Sequence, residues 1–106
     1  MLRVGITGQS GFIGTHLFNA LGLEPKKFNR VYFNRNYFKN ENELDKFVSS
    51  CDVIVHLAAL NRHNEPNVIY ETNISLVKAL ISSLEKSKSK AHVIISSSSQ
   101  EDRDSL

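Results

Sequence analysis

Three evenly spaced glycines, Gly8, Gly11 and Gly14, constrain this chain more than any other feature. An apolar run at residues 2–7 precedes them, and apolar residues at helical spacing follow, which predicts a strand that turns sharply into a helix. Glycine suits such a turn because it allows positive φ and close approach to the backbone. The first N–H groups of the helix then face outward, backed by the positive end of the helix dipole. The segment therefore predicts a cradle for a phosphate or pyrophosphate, although a turn that binds nothing is the alternative.

The segment TGQSGFIG (residues 7–14) resembles the signature of the extended short-chain dehydrogenase/reductase family. Enzymes of that family epimerise, dehydrate or reduce nucleotide sugars. The resemblance implies an α/β fold, a Rossmann-type doubly wound parallel sheet in three layers, truncated here to a cofactor-binding domain at residues 1–106. It implies cofactor contacts at Gly8, Ser10, Gly11, Phe12, Ile13 and Gly14.

The composition limits what else the chain can be. A length of 106 residues with 41% hydrophobic content allows one modest core, so we expect one domain or part of one. The net charge of +2 is spread over mixed signs, which argues against a nucleic-acid partner. No apolar run approaches the ~20 residues of a membrane span, and no secretion signal precedes the first strand. We therefore expect a soluble, cytoplasmic protein.

The cysteine and histidine residues do not predict a reactive or metal site. Cys51 is the only cysteine and is expected to pack as a small core residue rather than act as a catalytic thiol. His56, inside an apolar run, is expected to be buried and hydrogen-bonded. The spacings among the histidines match no metal-site template, so no metal is expected; they are His16, His56, His63 and His92.

Strands and helices alternate along the sequence, which predicts parallel strands joined by right-handed crossovers. The first strand is expected to lie between the second strand and the strand near residues 52–57. Residues 36–40 are too few for the usual third strand and its crossover. The predicted strands are 2–7, 31–35, 52–57 and 92–97, and the predicted helices are 12–21, 40–50 and 66–86.

The end of the second strand predicts the choice of cofactor. In dinucleotide-binding domains an acidic residue there binds the ribose 2′-hydroxyl of NAD, whereas an arginine accommodates the 2′-phosphate of NADP. This chain carries Asn34 and Arg35 there, with no Asp or Glu beside them. The pattern favours NADP, with NAD as the alternative. If Arg35 has no functional role, it is a solvated surface arginine.

The run DVIVHLAA (residues 52–59) is continuous and apolar after its first residue, as a strand buried on both faces requires. It resembles the fourth-strand pattern of the same family. Leu57, Ala58 and Ala59 are then candidate cofactor contacts, and the small residues Ala58 and Ala59 would leave room for ribose and pyrophosphate at the strand end. Ordinary strand packing is the alternative.

The last predicted strand runs into four serines, Ser96 to Ser99. A polar loop would explain them, but the resemblance implies that Ser98 is the catalytic hydroxyl, which holds the sugar oxygen while a Tyr-x-x-x-Lys pair transfers the proton. Asn73 matches an asparagine of the family and is otherwise a surface amide.

The chain contains no Tyr-x-x-x-Lys, so it reads as the amino-terminal part of a longer enzyme, inactive alone.

Within the family, residues 56–62 and 97–100 look most like the bacterial UDP-sugar 4-keto reductases of capsule and O-antigen synthesis, which use NADPH. Arg62 is then a candidate anion contact, with a solvated arginine as the alternative. The resemblance implies a nucleotide-sugar substrate and a homodimer of the full-length enzyme. An NAD-dependent epimerase or dehydratase, or a non-catalytic dinucleotide sensor, are the competing hypotheses.

Overall fold

Short apolar segments of this chain form a parallel sheet, and the longer amphipathic segments form helices around it. The computed structural model describes residues 1–59 and 64–95. The strands are β1 (Leu2–Thr7), β2 (Phe28–Val31), β3 (Val53–His56) and β4 (His92–Ile95). The helices are α1 (Phe12–Gly22), a 3₁₀ helix (Arg35–Lys39), α2 (Glu41–Ser50) and α3 (Pro66–Ser87).

All neighbouring strands are parallel, in the order β2-β1-β3-β4. Gly5 in β1 lies opposite Val31 on one side and Ile54 on the other, and Thr7 lies opposite His56. The first strand therefore lies between the second strand and the strand near residues 52–57, as predicted. The predicted fold class, a Rossmann-type parallel sheet with flanking helices, is confirmed.

The predicted position of the second strand is wrong. β2 occupies Phe28–Val31 rather than residues 31–35, because β1 pairs with it in a register that places Leu2 opposite Phe28. The apolar side chain of Phe33 packs into the core, where it is 3% exposed. Phe33 therefore lies outside the strand and makes no ladder contact with β1. Asn34 then caps the 3₁₀ helix, its side-chain oxygen accepting from the Asn36 N–H at 2.9 Å. Arg35 is therefore the first residue of a 3₁₀ helix.

The main core lies between the sheet and the helices α2 and α3. Aromatic rings dominate one end of it: Phe33 packs edge-on against Tyr37, Phe38 and Phe47, with ring centroids 4.8–5.4 Å apart. Cys51 is 4% exposed, and burial raises the pKa of its thiol to about 12. That thiol stays protonated at neutral pH, which agrees with a packing role. The buried cluster comprises Phe33, Leu44, Phe47, Val48, Cys51, Ile54 and Leu80.

Polar contacts fix the amino ends of β1 and β3. The Asp52 carboxylate accepts hydrogen bonds from the Arg3 backbone N–H at 2.8 Å and from the Arg3 guanidinium at 3.0 Å. These bonds hold the pKa of Asp52 below its ordinary value. The opposite, carboxyl ends of the strands carry the glycine loop.

Candidate cofactor-binding site

The glycine loop joins β1 to α1 in a tight turn at the carboxyl edge of the sheet. Gly8 has a φ of +77°, and its carbonyl oxygen accepts from the Gly11 N–H at 3.0 Å. The helix begins directly afterwards, with the Thr15 N–H donating to the Gly11 oxygen at 2.8 Å. A Cβ at Gly14 would overlap the Gly8 carbonyl group. The loop therefore requires glycine at Gly8 for its backbone conformation and at Gly14 for close packing.

The first turn of α1 presents N–H groups without side-chain caps. Gly11 is the N-cap residue and makes no side-chain cap hydrogen bond. The first N–H groups of any helix lack intrahelical acceptors and carry the positive end of the dipole. Ser10, Phe12 and Ile13 are exposed around this turn, with Phe12 81% and Ile13 65% exposed. The turn thus fits the pyrophosphate of a dinucleotide, because its N–H groups are available and glycines leave the backbone open.

A buried threonine links the carboxyl ends of β1 and β3. The Thr7 hydroxyl oxygen accepts from the N–H groups of Leu57 at 3.0 Å and Ala58 at 3.1 Å. It also lies 2.7 Å from His56 Nδ1. With both lone pairs occupied, the hydroxyl donates its proton to Nδ1, which makes His56 a neutral imidazole protonated on Nε2. Burial lowers the pKa of His56, in agreement with the neutral form.

The residues after β3 lie close to the glycine loop. A Cβ at Gly8 would lie 3.0 Å from the backbone nitrogen of Ala58, so the two loops are in close contact. Leu57 and Ala58 are half-buried and Ala59 is exposed at this edge. Thr7 itself was not predicted as a site residue. Its partner lies 49 positions away, and only the parallel register brings them together.

A second contact joins the glycine loop to the segment after β2. The side-chain oxygen of Gln9 accepts from the Phe33 N–H at 3.1 Å. Phe33 is two positions before Arg35, so this contact brings the predicted ribose-binding segment to the glycine loop. Arg35 is exposed there, and the Asn34 side-chain oxygen is engaged in capping. Sequence reasoning missed Gln9, since no local pattern signals its distant partner.

The remaining predicted site residues do not all fall in the described ranges. Arg62 and Ser98 lie outside the described residues. Asn73 lies on α3 and is half-buried. Among residues 1–59 and 64–95, no group of three or more His, Cys, Asp or Glu is placed to hold a metal ion. No helix in the same ranges is long and apolar enough to span a membrane.

The strand order, the glycine turn at the carboxyl edge and the uncapped helix after it define a Rossmann-type α/β fold. The model of the NAD dependent epimerase/dehydratase family matches residues 4–103. The chain belongs to that family.

Solved structures share this fold. UDP-N-acetylglucosamine 4-epimerase from Bacillus cereus superposes with a TM-score of 0.74 at 18% identity, covering 92% of this chain and 39% of that one. UDP-glucose-4-epimerase from Stenotrophomonas maltophila, with bound NAD and formylated UDP-arabinopyranose, gives 0.69 at 19% identity, covering 94% and 38%. Uronate dehydrogenase from Agrobacterium tumefaciens gives 0.61 at 20% identity, covering 92% and 41%.

This chain thus spans about two fifths of the length of those structures. At such identities the similarity shows the fold. Among proteins with curated descriptions, no sequence matches the chain significantly.

Proposed function

We propose that this chain is the dinucleotide-binding domain of an NADP-dependent nucleotide-sugar oxidoreductase that reduces a UDP-4-keto-deoxysugar. Membership of the NAD dependent epimerase/dehydratase family supports the general class. Two structural neighbours are epimerases of nucleotide sugars, which supports the substrate class. The likeness of residues 56–62 and 97–100 to capsule and O-antigen reductases supports the direction of the reaction.

The position of Arg35 carries the proposal of NADP. Arg35 begins the 3₁₀ helix after β2 and is exposed, and the Gln9–Phe33 hydrogen bond ties this segment to the glycine loop. A guanidinium group binds a phosphate through paired hydrogen bonds. No Asp or Glu occurs from Phe28 to Asn40 to bind a ribose hydroxyl or repel a 2′-phosphate. The segment therefore has the charge that NADP requires.

The other candidate residues would complete this site. The glycine loop, with Gly8, Gly11 and Gly14, would receive the pyrophosphate together with the exposed first turn of α1. Ala58 and Ala59 would leave space for the ribose beside that loop. Arg62 would supply a further cationic contact to a phosphate of the cofactor or substrate. When bound, the cofactor would supply the hydride for reduction of the keto group.

Calorimetry on the full-length protein tests this proposal. NADPH should bind more tightly than NADH, and Arg35→Asp should narrow or reverse that preference by about 10- to 100-fold, because charge-assisted hydrogen bonds are lost. Lys39→Ala is the matched control, since Lys39 is an exposed cation at the far end of the same 3₁₀ helix. The Lys39→Ala variant should keep the preference of the unmodified protein for NADPH over NADH. Equal affinities for NADPH and NADH in the unmodified protein would remove Arg35 from this role.

An NAD-dependent epimerase or dehydratase is the second candidate function. The family description names NAD, and two structural neighbours contain bound NAD. An epimerase restores its cofactor in each cycle, whereas a reductase consumes NADPH in proportion to product. The full-length protein should therefore oxidise one NADPH for each UDP-4-keto-sugar reduced. Turnover of a UDP-sugar without net oxidation of NADPH would favour the epimerase.

A further inference from the structure

The Gln9 side chain forms a bridge between the two parts of the candidate cofactor site. Its Oε1 accepts from the Phe33 N–H at 3.1 Å in a half-buried setting. Only the oxygen end of the amide can serve, because the partner is an N–H donor. The main chain of Gln9 is held as well, since its carbonyl oxygen accepts from the Thr15 hydroxyl of α1 at 3.1 Å. Gln9 is thus fixed to α1 through its backbone and to the segment after β2 through its side chain.

Phe33 needs this acceptor because β2 has already ended. The ladder with β1 stops at Val31, so the Phe33 N–H has no partner in it. Phe33 is 3% exposed, which leaves little water to replace a protein acceptor. A buried N–H without an acceptor costs as much as a lost hydrogen bond. The Gln9 oxygen removes that cost and determines where the chain leaves the sheet.

Phe33 is therefore an anchor for the segment that carries Arg35. Its ring packs against Phe47 of α2 with centroids 4.8 Å apart, and its backbone is held by Gln9. Asn34 then caps the 3₁₀ helix that Arg35 begins. Two residues span at most ~7 Å, so the position of Phe33 limits where Arg35 can lie relative to the glycine loop.

We propose that Gln9 is a positioning residue for cofactor selection: its bond to Phe33 holds Arg35 at the distance from the glycine loop that matches the pyrophosphate and 2′-phosphate of one NADP molecule. This inference rests on the proposed function, because it assigns Gln9 an effect through Arg35. Removing the Gln9 acceptor lowers affinity for NADPH more than affinity for NADH. A purely structural role would lower both affinities together.

A double-mutant cycle in the full-length protein tests this coupling. Gln9→Met keeps the side-chain length and removes the acceptor, and Gln9→Ala removes the side chain as a second variant. Each is made with Arg35 intact and in an Arg35→Ala background, and the affinities for NADPH and NADH are measured by calorimetry. With Arg35 intact, the ratio of the two affinities should fall about two- to tenfold, the value of one hydrogen bond. In the Arg35→Ala background it should not change further.

Amide hydrogen exchange at Phe33 provides the structural readout. Exchange should accelerate in Gln9→Met and stay slow in Gln9→Glu, which keeps an acceptor oxygen at the same reach. If exchange at Phe33 is unaltered by Gln9→Met, the bridge does not hold this segment and the inference is overturned.

The outcomes separate this inference from the proposed function. If Arg35→Ala lowers NADPH selectivity and Gln9→Met does not, Gln9 has no positioning role and the proposed function stands. An equal loss of selectivity from Gln9→Met in both backgrounds also overturns an effect through Arg35. If the unmodified protein does not prefer NADPH and Arg35→Ala changes nothing, the NADP proposal fails and the Gln9 inference fails with it.

Discussion

Single buried polar residues hold together the edge of the sheet at which the glycine loop lies. The Thr7 hydroxyl makes three hydrogen bonds, to the N–H groups of Leu57 and Ala58 and to His56 Nδ1. Thr7 is fully buried and His56 is 5% exposed, so water does not compete for these groups. Leaving a buried polar group unpaired costs ~1–3 kcal/mol. Because of this arrangement, the stability of the folded protein depends on whether the His56 ring is protonated.

The free energy of unfolding should therefore depend on pH through His56. Burial lowers the pKa of His56 below 6.5 in the folded protein, so the unfolded chain binds the proton first as the pH falls. Stability should be complete above about pH 6.5 and decline as the pH falls toward the folded pKa, by at most ~1.4 kcal/mol per pH unit. Denaturant unfolding at a series of pH values between about 5 and about 7 measures this slope.

His56→Asn is the matched control for that measurement. It keeps a hydrogen-bond acceptor near the Thr7 hydroxyl and removes the titrating ring, so the slope in this range should flatten. Hydrogen bonds to Ser83 and Arg3 lower the pKa values of Asp45 and Asp52, respectively, from 3.8. The stability that these two carboxylates contribute is therefore lost at lower pH than the range measured for His56. An unchanged slope in His56→Asn would show that another group titrates.

Ser98 is the residue for which we predict a direct effect on catalysis. A keto group under reduction develops negative charge on oxygen, so a hydroxyl donor stabilises mainly the transition state. In the full-length protein, Ser98→Ala should lower kcat ~10²-fold or more while cofactor binding is retained, measured as NADPH oxidation with a UDP-4-keto-sugar. Damage from Ser97→Ala or Ser99→Ala instead would shift the assignment by one residue. Full activity in all three variants would make the serine run a loop without catalytic function.

At the scale of elements, the packing of α1 against the end of β1 depends on how closely the backbones approach. A Cβ at Gly14 would overlap the Gly8 carbonyl group, whereas a Cβ at Gly11 would lie 3.3 Å from the Gly8 oxygen. The helix therefore cannot approach the strand with a side chain at Gly14. A small shift of the loop accommodates one at Gly11.

We expect Gly14→Ala and Gly11→Ala to differ for this reason. Gly14→Ala should lower the free energy of unfolding by ~1–3 kcal/mol or more, because the helix must move away from the strand. It should also weaken dinucleotide binding, since the first-turn N–H groups move with the helix. Gly11→Ala, the control, should cost less than ~1 kcal/mol. Thermal unfolding compares the stabilities of the two variants, and equal losses of stability would contradict the packing argument.

At the scale of the whole molecule, the sheet has an apolar edge within the described residues. β4 pairs with β3 on one side and has no second strand neighbour among residues 1–59 and 64–95. Ile94 is 48% and Ile95 is 54% exposed there. An apolar edge strand with unpaired N–H and C=O groups is a template for association with another chain.

The 106-residue chain should therefore self-associate as its concentration rises. Ile95→Lys should reduce that association, because a charge on an edge strand opposes pairing between sheets. Leu23→Lys is the control, since Leu23 is 83% exposed but follows α1, away from β4. Light scattering over a concentration series measures the effect. A monomer at high concentration would show that the β4 edge is covered.

The sequence by itself determined the elements whose signals are local. The apolar run 2–7, the glycine turn and α1 are adjacent in the chain, so steric preference and periodicity were enough to predict strand, turn and helix. The run at 53–56 was recognisable because a strand buried on both faces needs continuous apolar residues. Parallel pairing then followed from the alternation of strands with helices. The same local signals predict the candidate phosphate cradle at residues 8–14.

Only the tertiary structure decided how distant segments meet. Local propensity favoured residues 31–35 as a strand, but pairing with β1 selected Phe28–Val31 and released Phe33 to the aromatic core. The bonds of Gln9 to Phe33 and of Thr7 to His56 join residues 24 and 49 positions apart. Their partners depend on the register of parallel strands, which is set by crossovers and core packing together. No local pattern encodes that register, because a hydrogen-bond donor selects its acceptor by position in space.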